Sequence, residues 1–193
     1  MCIRDSLIGH DPNYASITVE ETSDSTDISN LQADPITNFK QPTCRLTDSN
    51  TPVGNFVYLN DTALVFDDKT ERLMGDFIEY ASQGEMHQLD VEDVGSLQLL
   101  NVVETINPIN KQVSEWVPGS WKDTIAMNKL VFHPQRVGTL SSLFKIPELN
   151  YQPILCYSGF TDEEEYPQDH DFHAFYHENA FTGLLFTEIW SDC

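Results

Sequence analysis

Apolar positions in this chain come in short bursts, and their period changes from segment to segment. Residues 14–19 alternate, with Tyr14, Ser16 and Thr18 on one face and Ile17 and Val19 on the other, which predicts a strand. Residues 20–30 are rich in Ser, Asp and Thr and read as loop. Pro35, Pro42 and Pro52 punctuate an irregular stretch after it. Residues 55–59 predict a second strand, followed by a short turn through Ala63, Leu64 and Phe66 that Asn60 or Asp61 could cap. A helix follows: Asp68 and Glu71 have capping-box spacing, and Leu73, Met74, Phe77, Ile78 and Ala81 form one apolar stripe that Gly84 would end.

The centre reads as sheet. Residues 86–91 predict a short strand, and residues 96–106 a long, central one that Asn107 and Pro108 terminate. Residues 110–124 form a loop holding Trp116, Pro118, Gly119 and Trp121. Strands are predicted over 129–133, 143–146 and 153–157, a helix over about 169–179, and a last strand over 184–190 opened by Gly183. No internal repeat interrupts this order. Strands interleaved with two or three helices predict an α+β fold, a single domain with a mixed, mostly antiparallel sheet. Residues 7–53 form its acidic, loop-rich N-terminal part and residues 54–193 its main body.

Composition leaves that picture standing and limits function. A hydrophobic content of 40% with 11% aromatics is enough for a packed core. No apolar run approaches the ~18 residues of a membrane span. Cys2, Cys44, Cys156 and Cys193 lack CxxC or CxxH spacing, which predicts free thiols and a reducing cytoplasm. Residues 1–6, Met-Cys-Ile-Arg-Asp-Ser, match one reading frame of a transposon-end sequencing adapter. They are expected to be an assembly scar outside the fold, which leaves the native N-terminus open.

Charge changes the picture most. Asp and Glu number 31 against 10 for Lys and Arg, a formal net charge of −21. From Ile146 to Cys193 there is no Lys or Arg, while ten carboxylates fall there, among them Asp162, Glu163, Glu164, Glu165, Asp169 and Asp171. Such a field repels nucleic acid and anionic membrane and speeds encounter with cationic partners. Scarce cations also argue against phosphoryl transfer, which needs positive charge at the reacting phosphate.

Candidate chemistry is sparse. GxSxG, GxxxxGK[ST] and GxGxxG are all missing. His170, His173 and His177 project from a helix at about 0°, 300° and 340°, a narrow face, and His173 and His177 have the i, i+4 spacing that can chelate a divalent metal. Phe172, Phe175 and Tyr176 form the opposite face, so the stronger reading of the same helix is amphipathic, with the histidines in solvent. The run 162–165 lacks the alternating ligands and central Gly of a calcium loop and reads as solvated loop or as a contact patch for a basic partner. Trp116 and Trp121 either seal a core edge or add to that patch. These residues favour a binding protein over an enzyme, with no cofactor, metal or small-molecule substrate expected.

The order of segments resembles a family of bacterial immunity proteins, the eleventh of those described in polymorphic toxin systems. The resemblance spans about residues 54–192. It rests on Phe56-Val57-Tyr58-Leu59-Asn60 leading to Leu73-Met74, on Leu100-Asn101-Val102-Val103-Glu104-Thr105-Ile106, on Leu143-Phe144-Lys145-Ile146-Pro147-Glu148, and above all on Phe181-Thr182-Gly183-Leu184-Leu185-Phe186 after a helix ending at Asn179. The acid loop reads as an insertion, and the Trp116 to Trp121 loop has no counterpart. The resemblance implies a cytoplasmic, non-enzymatic protein that binds a cognate protein toxin, and it carries over no functional residues. With the charge, it yields the expectation of toxin neutralisation by occlusion. The candidate surface is Asp162, Glu163, Glu164, Glu165, Asp169 and Asp171, with Trp116 and Trp121. Two other readings stand beside it: an acidic interaction module of a salt-adapted organism, and a metal-dependent enzyme using His170, His173 and His177.

Overall fold

A computed structural model describes residues 4–20, 25–29, 31–75, 77, 84–116, 127–133, 136, 142–158 and 171–191. It is α+β, with twelve strands and two α-helices among those residues. The strands are β1 (Arg4–His10), β2 (Ile17–Glu20), β3 (Thr43–Leu46), β4 (Phe56–Asn60), β5 (Ala63–Phe66), β6 (Gly84–Glu92), β7 (Gly95–Val102), β8 (Glu115–Trp116), β9 (Met127–Lys129), β10 (Leu143–Phe144), β11 (Leu155–Ser158) and β12 (Leu184–Ser191). The helices are α1 (Asp68–Met74) and α2 (Phe172–Glu178).

Six strands in the order β2-β3-β6-β7-β5-β4 make the first sheet, antiparallel except for the parallel pair β3 and β6. Its two end strands meet again at a parallel bridge between Ser16 and Tyr58, so the sheet curls back on itself. Alternation on its strands sorts side chains to two cores. Ala63, Val65, Leu97 and Leu99 point to the inside of the curl with Ile17, Cys44, Val57, Leu89 and Val91. Leu64, Phe66, Leu100 and Val102 point the other way. Because β5 is buried on both faces, Ala63–Phe66 reads as an unbroken apolar run. The expected turn through Ala63 and Leu64 is therefore a strand, paired with β4 and β7.

The second sheet, β10-β11-β1-β12, is antiparallel throughout. Ile8, Leu143, Cys156 and Leu184 face the first sheet and complete the shared core with Phe172, Tyr176 and Phe181. On its far face Phe144, Leu155 and Tyr157 pack with Ile106, Ile109, Phe132 and Ile146. The N-terminal part is woven into this frame rather than appended to it. β1 is internal to the second sheet, β2 and β3 end the first, and Ile28 and Leu31 are buried inside the curl. Residues 1–6 were expected to lie outside the fold, yet Arg4, Asp5 and Ser6 pair with both β11 and β12. A ladder is made by backbone N–H and C=O groups, so any tripeptide without proline can extend it.

The helix boundaries correct two further expectations. The N-cap of α1 is Asp67, whose carboxylate accepts from the Thr70 N–H at 2.7 Å, so Glu71 lies one position past the capping-box site. Adjacent aspartates offered two equivalent caps, and the end of β5 at Phe66 selects the first. The predicted stop at Gly84 instead opens β6, where a Cβ would meet the Asn101 carbonyl oxygen at 2.0 Å. Ile78 and Ala81 of the expected stripe lie outside the described residues.

Candidate functional site

Helix α2 organises the chemistry nearest the acidic stretch. Asp171 precedes it as N-cap: one carboxylate oxygen accepts from the Ala174 N–H at 3.0 Å and the other from the Ser158 hydroxyl at 2.7 Å. The Ser142 hydroxyl adds a second tie, accepting from the Phe172 N–H at 2.8 Å and donating to the Tyr157 carbonyl at 2.9 Å. Asp171 is thus only 6% exposed and corrects its expected place on a docking surface. An N-cap carboxylate answers one of the unpaired N–H groups at the start of a helix, and here that bond and the Ser158 hydroxyl take it out of solvent.

Asp162, Glu163, Glu164, Glu165, Asp169, His170 and Trp121 lie outside the described residues. Trp116 is described by its backbone alone, in β8. The structure therefore brings together, from the predicted histidine face, His173 and His177. Their Nε2 atoms are 3.2 Å apart and their ring centroids 4.4 Å. Both rings rest on Phe186 of β12, at centroid distances of 4.8 Å for His173 and 5.7 Å for His177. The expected amphipathic division holds for Phe172 and Tyr176, which are buried, and for His177, which is exposed. His173 departs from it, half-buried by Phe186. Among the described residues no group of three or more His, Cys, Asp or Glu side chains is placed to hold a metal ion.

The polar centre that the sequence did not announce is Lys145. It is fully buried, and its ammonium donates to the Leu31 carbonyl at 2.9 Å, the Gln32 carbonyl at 3.1 Å and Asn101 Oδ1 at 3.2 Å. Three donors meet three acceptors, which matches the ammonium inventory. Burial pushes this amine down to about 8. The Asn101 amide continues the network, donating to the Asp34 carbonyl and to Glu85. Glu85 also accepts from the Ile36 N–H and from His87, whose ring stacks on Phe39 at 4.2 Å. Hydrogen bonds from these groups hold Glu85 below the usual carboxylate range although burial opposes them. One connected network thereby pins residues 31–39 across the end of the curled sheet. A lone cation within Leu143-Phe144-Lys145-Ile146 was the available signal, since alternation puts Lys145 on the inward face with Leu143.

A cleft of about 520 Å³ opens beside β2 and β4 and is lined by Ile17, Val19, Leu59 and the polar residues Thr26, Asp27 and Ser29. Asp27 is already engaged by the Ser29 N–H at 2.9 Å and hydroxyl at 2.6 Å, which hold its carboxyl low. No nucleophile and base converge there among the described residues. Cys44 and Cys156 are buried, and burial pushes the Cys44 thiol up to about 11, which disfavours it as a nucleophile. No helix among the described residues is long and apolar enough to cross a membrane. No family model matches this chain, and no curated protein matches it in sequence.

Proposed function

We propose that this protein is a non-enzymatic immunity protein of the cytoplasm that binds a cationic protein toxin and neutralises it by occlusion. The observation that carries this reading is the position of Lys145. It is the last Lys or Arg in the chain and it is fully buried, and the sequence after it, residues 146–193, carries ten carboxylates and no Lys or Arg. An excess of negative charge of that kind steers a basic partner into encounter and raises the association rate. Buried aromatics at the contact would then set the dissociation rate. The resemblance of its segment order to the immunity family points to the same role. The partner surface proposed is Asp162, Glu163, Glu164, Glu165 and Asp169 with Trp116 and Trp121, Asp171 being withdrawn from it. No nucleic acid, membrane, small-molecule substrate or cofactor belongs to this reading.

The test is to identify the reading frame that neighbours this gene and, where it encodes a toxin domain, to co-express the two. Rescue of growth is expected, together with an association rate that falls steeply as salt is added. Failure to rescue, or association indifferent to salt, would count against the reading. A second reading, an acidic module of a salt-adapted organism, is favoured by the exposed Asp90, Glu92 and Asp93 on β6 and the turn after it. These carboxylates belong to the first sheet, not to the anionic C-terminal surface.

A further inference from the structure

We infer that His173 and His177 form a two-donor binding site for a divalent transition-metal ion on the exposed side of α2. The geometry is that of a chelate. Two metal–nitrogen bonds of about 2.0–2.1 Å set their nitrogens about 2.9 Å apart at a right angle and about 3.4 Å apart at the tetrahedral angle. The observed Nε2 separation of 3.2 Å lies between these limits. One ion can therefore bond both rings without moving the helix backbone.

Three features make the pair a site rather than two neighbouring surface rings. The i, i+4 spacing on one helix fixes the separation of the two Cβ atoms. Phe186 supports both rings from below, and Tyr176 contacts the His177 ring edge-on at 5.4 Å, so little rotamer freedom remains to be lost on binding. The surrounding charge of −21 raises the local concentration of any divalent cation. Imidazole donors then select among cations: they suit Zn²⁺, Ni²⁺ and Cu²⁺, whereas Ca²⁺ and Mg²⁺ require oxygen. Two described donors leave further coordination positions to be filled by water or by other groups. This site is independent of toxin binding, and its test needs no toxin.

The experiment is a calorimetric titration of the full chain with Ni²⁺ at neutral pH, with millimolar Mg²⁺ present to occupy carboxylates. A single saturable site is expected, weakening as pH falls because protons compete for the imidazole nitrogens. Electron paramagnetic resonance of the Cu²⁺ form should show nitrogen coupling. Losing even an outer partner of a metal ligand weakens binding about 10–100-fold, so His177→Ala should weaken it by at least the lower figure. His177 is exposed, so that variant keeps the fold, and circular dichroism checks this. His173→Ala should do the same. No saturable site, or a Ni²⁺ site unchanged in both single variants, overturns the inference. Binding abolished by Mg²⁺ alone overturns it as well, because the donors would then be carboxylates.

Discussion

Among the described residues Lys145 is a cation without a carboxylate partner, held by two backbone carbonyls and an amide oxygen. Burying an ammonium is costly, and hydrogen bonds to every proton offset that cost only in part. The linkage sign follows from the folded value of about 8 lying below the usual 10.5. Between those values the unfolded chain binds more protons, so stability rises with pH across that window. Below pH 8 the gain is absent. A shift of this size corresponds to roughly 3 kcal/mol. Cys44 works in the opposite direction, because its raised value of about 11 gives stability that is complete below the ordinary thiol value and lost above it. Comparing wild type with Lys145→Met in urea denaturation at pH 7, 8, 9 and 10 isolates the lysine, since Cys44 is common to both. Wild type should gain on the variant as pH rises from 8 to 10. A constant difference would show that Lys145 titrates normally.

At the scale of elements, the junction between β4 and β12 bears the most consequence for the fold. Phe56 N–H donates to the Thr182 carbonyl at 2.9 Å, and the Thr182 hydroxyl and N–H both bond Asn55. Gly183 follows at φ 105°, and a Cβ there would lie 1.9 Å from the Phe56 carbonyl oxygen. Gly183→Ala combines a left-handed backbone with a clash against another backbone, where neither side can yield. A loss of about 3 kcal/mol or more is expected by urea denaturation. A loss under 1 kcal/mol would mean that the two strands can separate at little cost. Thr182-Gly183 was legible in the sequence as a motif, and most strands were legible because one face of each differs from the other. β5 was not, since four apolar residues buried on both faces show no period. Ile28, Leu31, Ile36 and Phe39 looked like loop because each stands alone among polar neighbours, yet they plug the curled sheet. The Lys145 network was illegible for another reason. Its acceptors are mostly main-chain carbonyls more than a hundred positions away, and a carbonyl leaves no mark in sequence. The histidine pair was legible from spacing alone. Asp171 was misplaced because a capping carboxylate and a solvated one look identical in a row of acids.

Over the whole molecule, the charge of −21 has two effects that respond oppositely to salt. Carboxylates distributed over both sheets repel one another in the compact state and so destabilise it. The same carboxylates attract a cationic partner. Screening acts on both, with a Debye length of about 30 Å at 0.01 M, 10 Å at 0.1 M and 3 Å at 1 M. Thermal stability should therefore rise from 0.01 to about 0.3 M NaCl, while any electrostatically steered association slows over the same range. The shape of the stability curve above that range separates the two readings of the charge. Repulsion alone is exhausted once the Debye length falls below the spacing of neighbouring carboxylates, so a protein acidic for the sake of one partner should reach a plateau. A protein adapted to brine should keep gaining stability toward molar salt. Melting curves in NaCl and KCl at equal ionic strength decide this, and chloride salts avoid the added burial that sulfate promotes. The toxin-binding reading expects the plateau, and continued stabilisation through 2 M would favour salt adaptation instead. Stability that falls on first addition of salt would contradict both, because it would mean that attractive pairs such as Arg45 with Glu20 and Lys111 with Glu148 outweigh the repulsion of all the unpaired carboxylates.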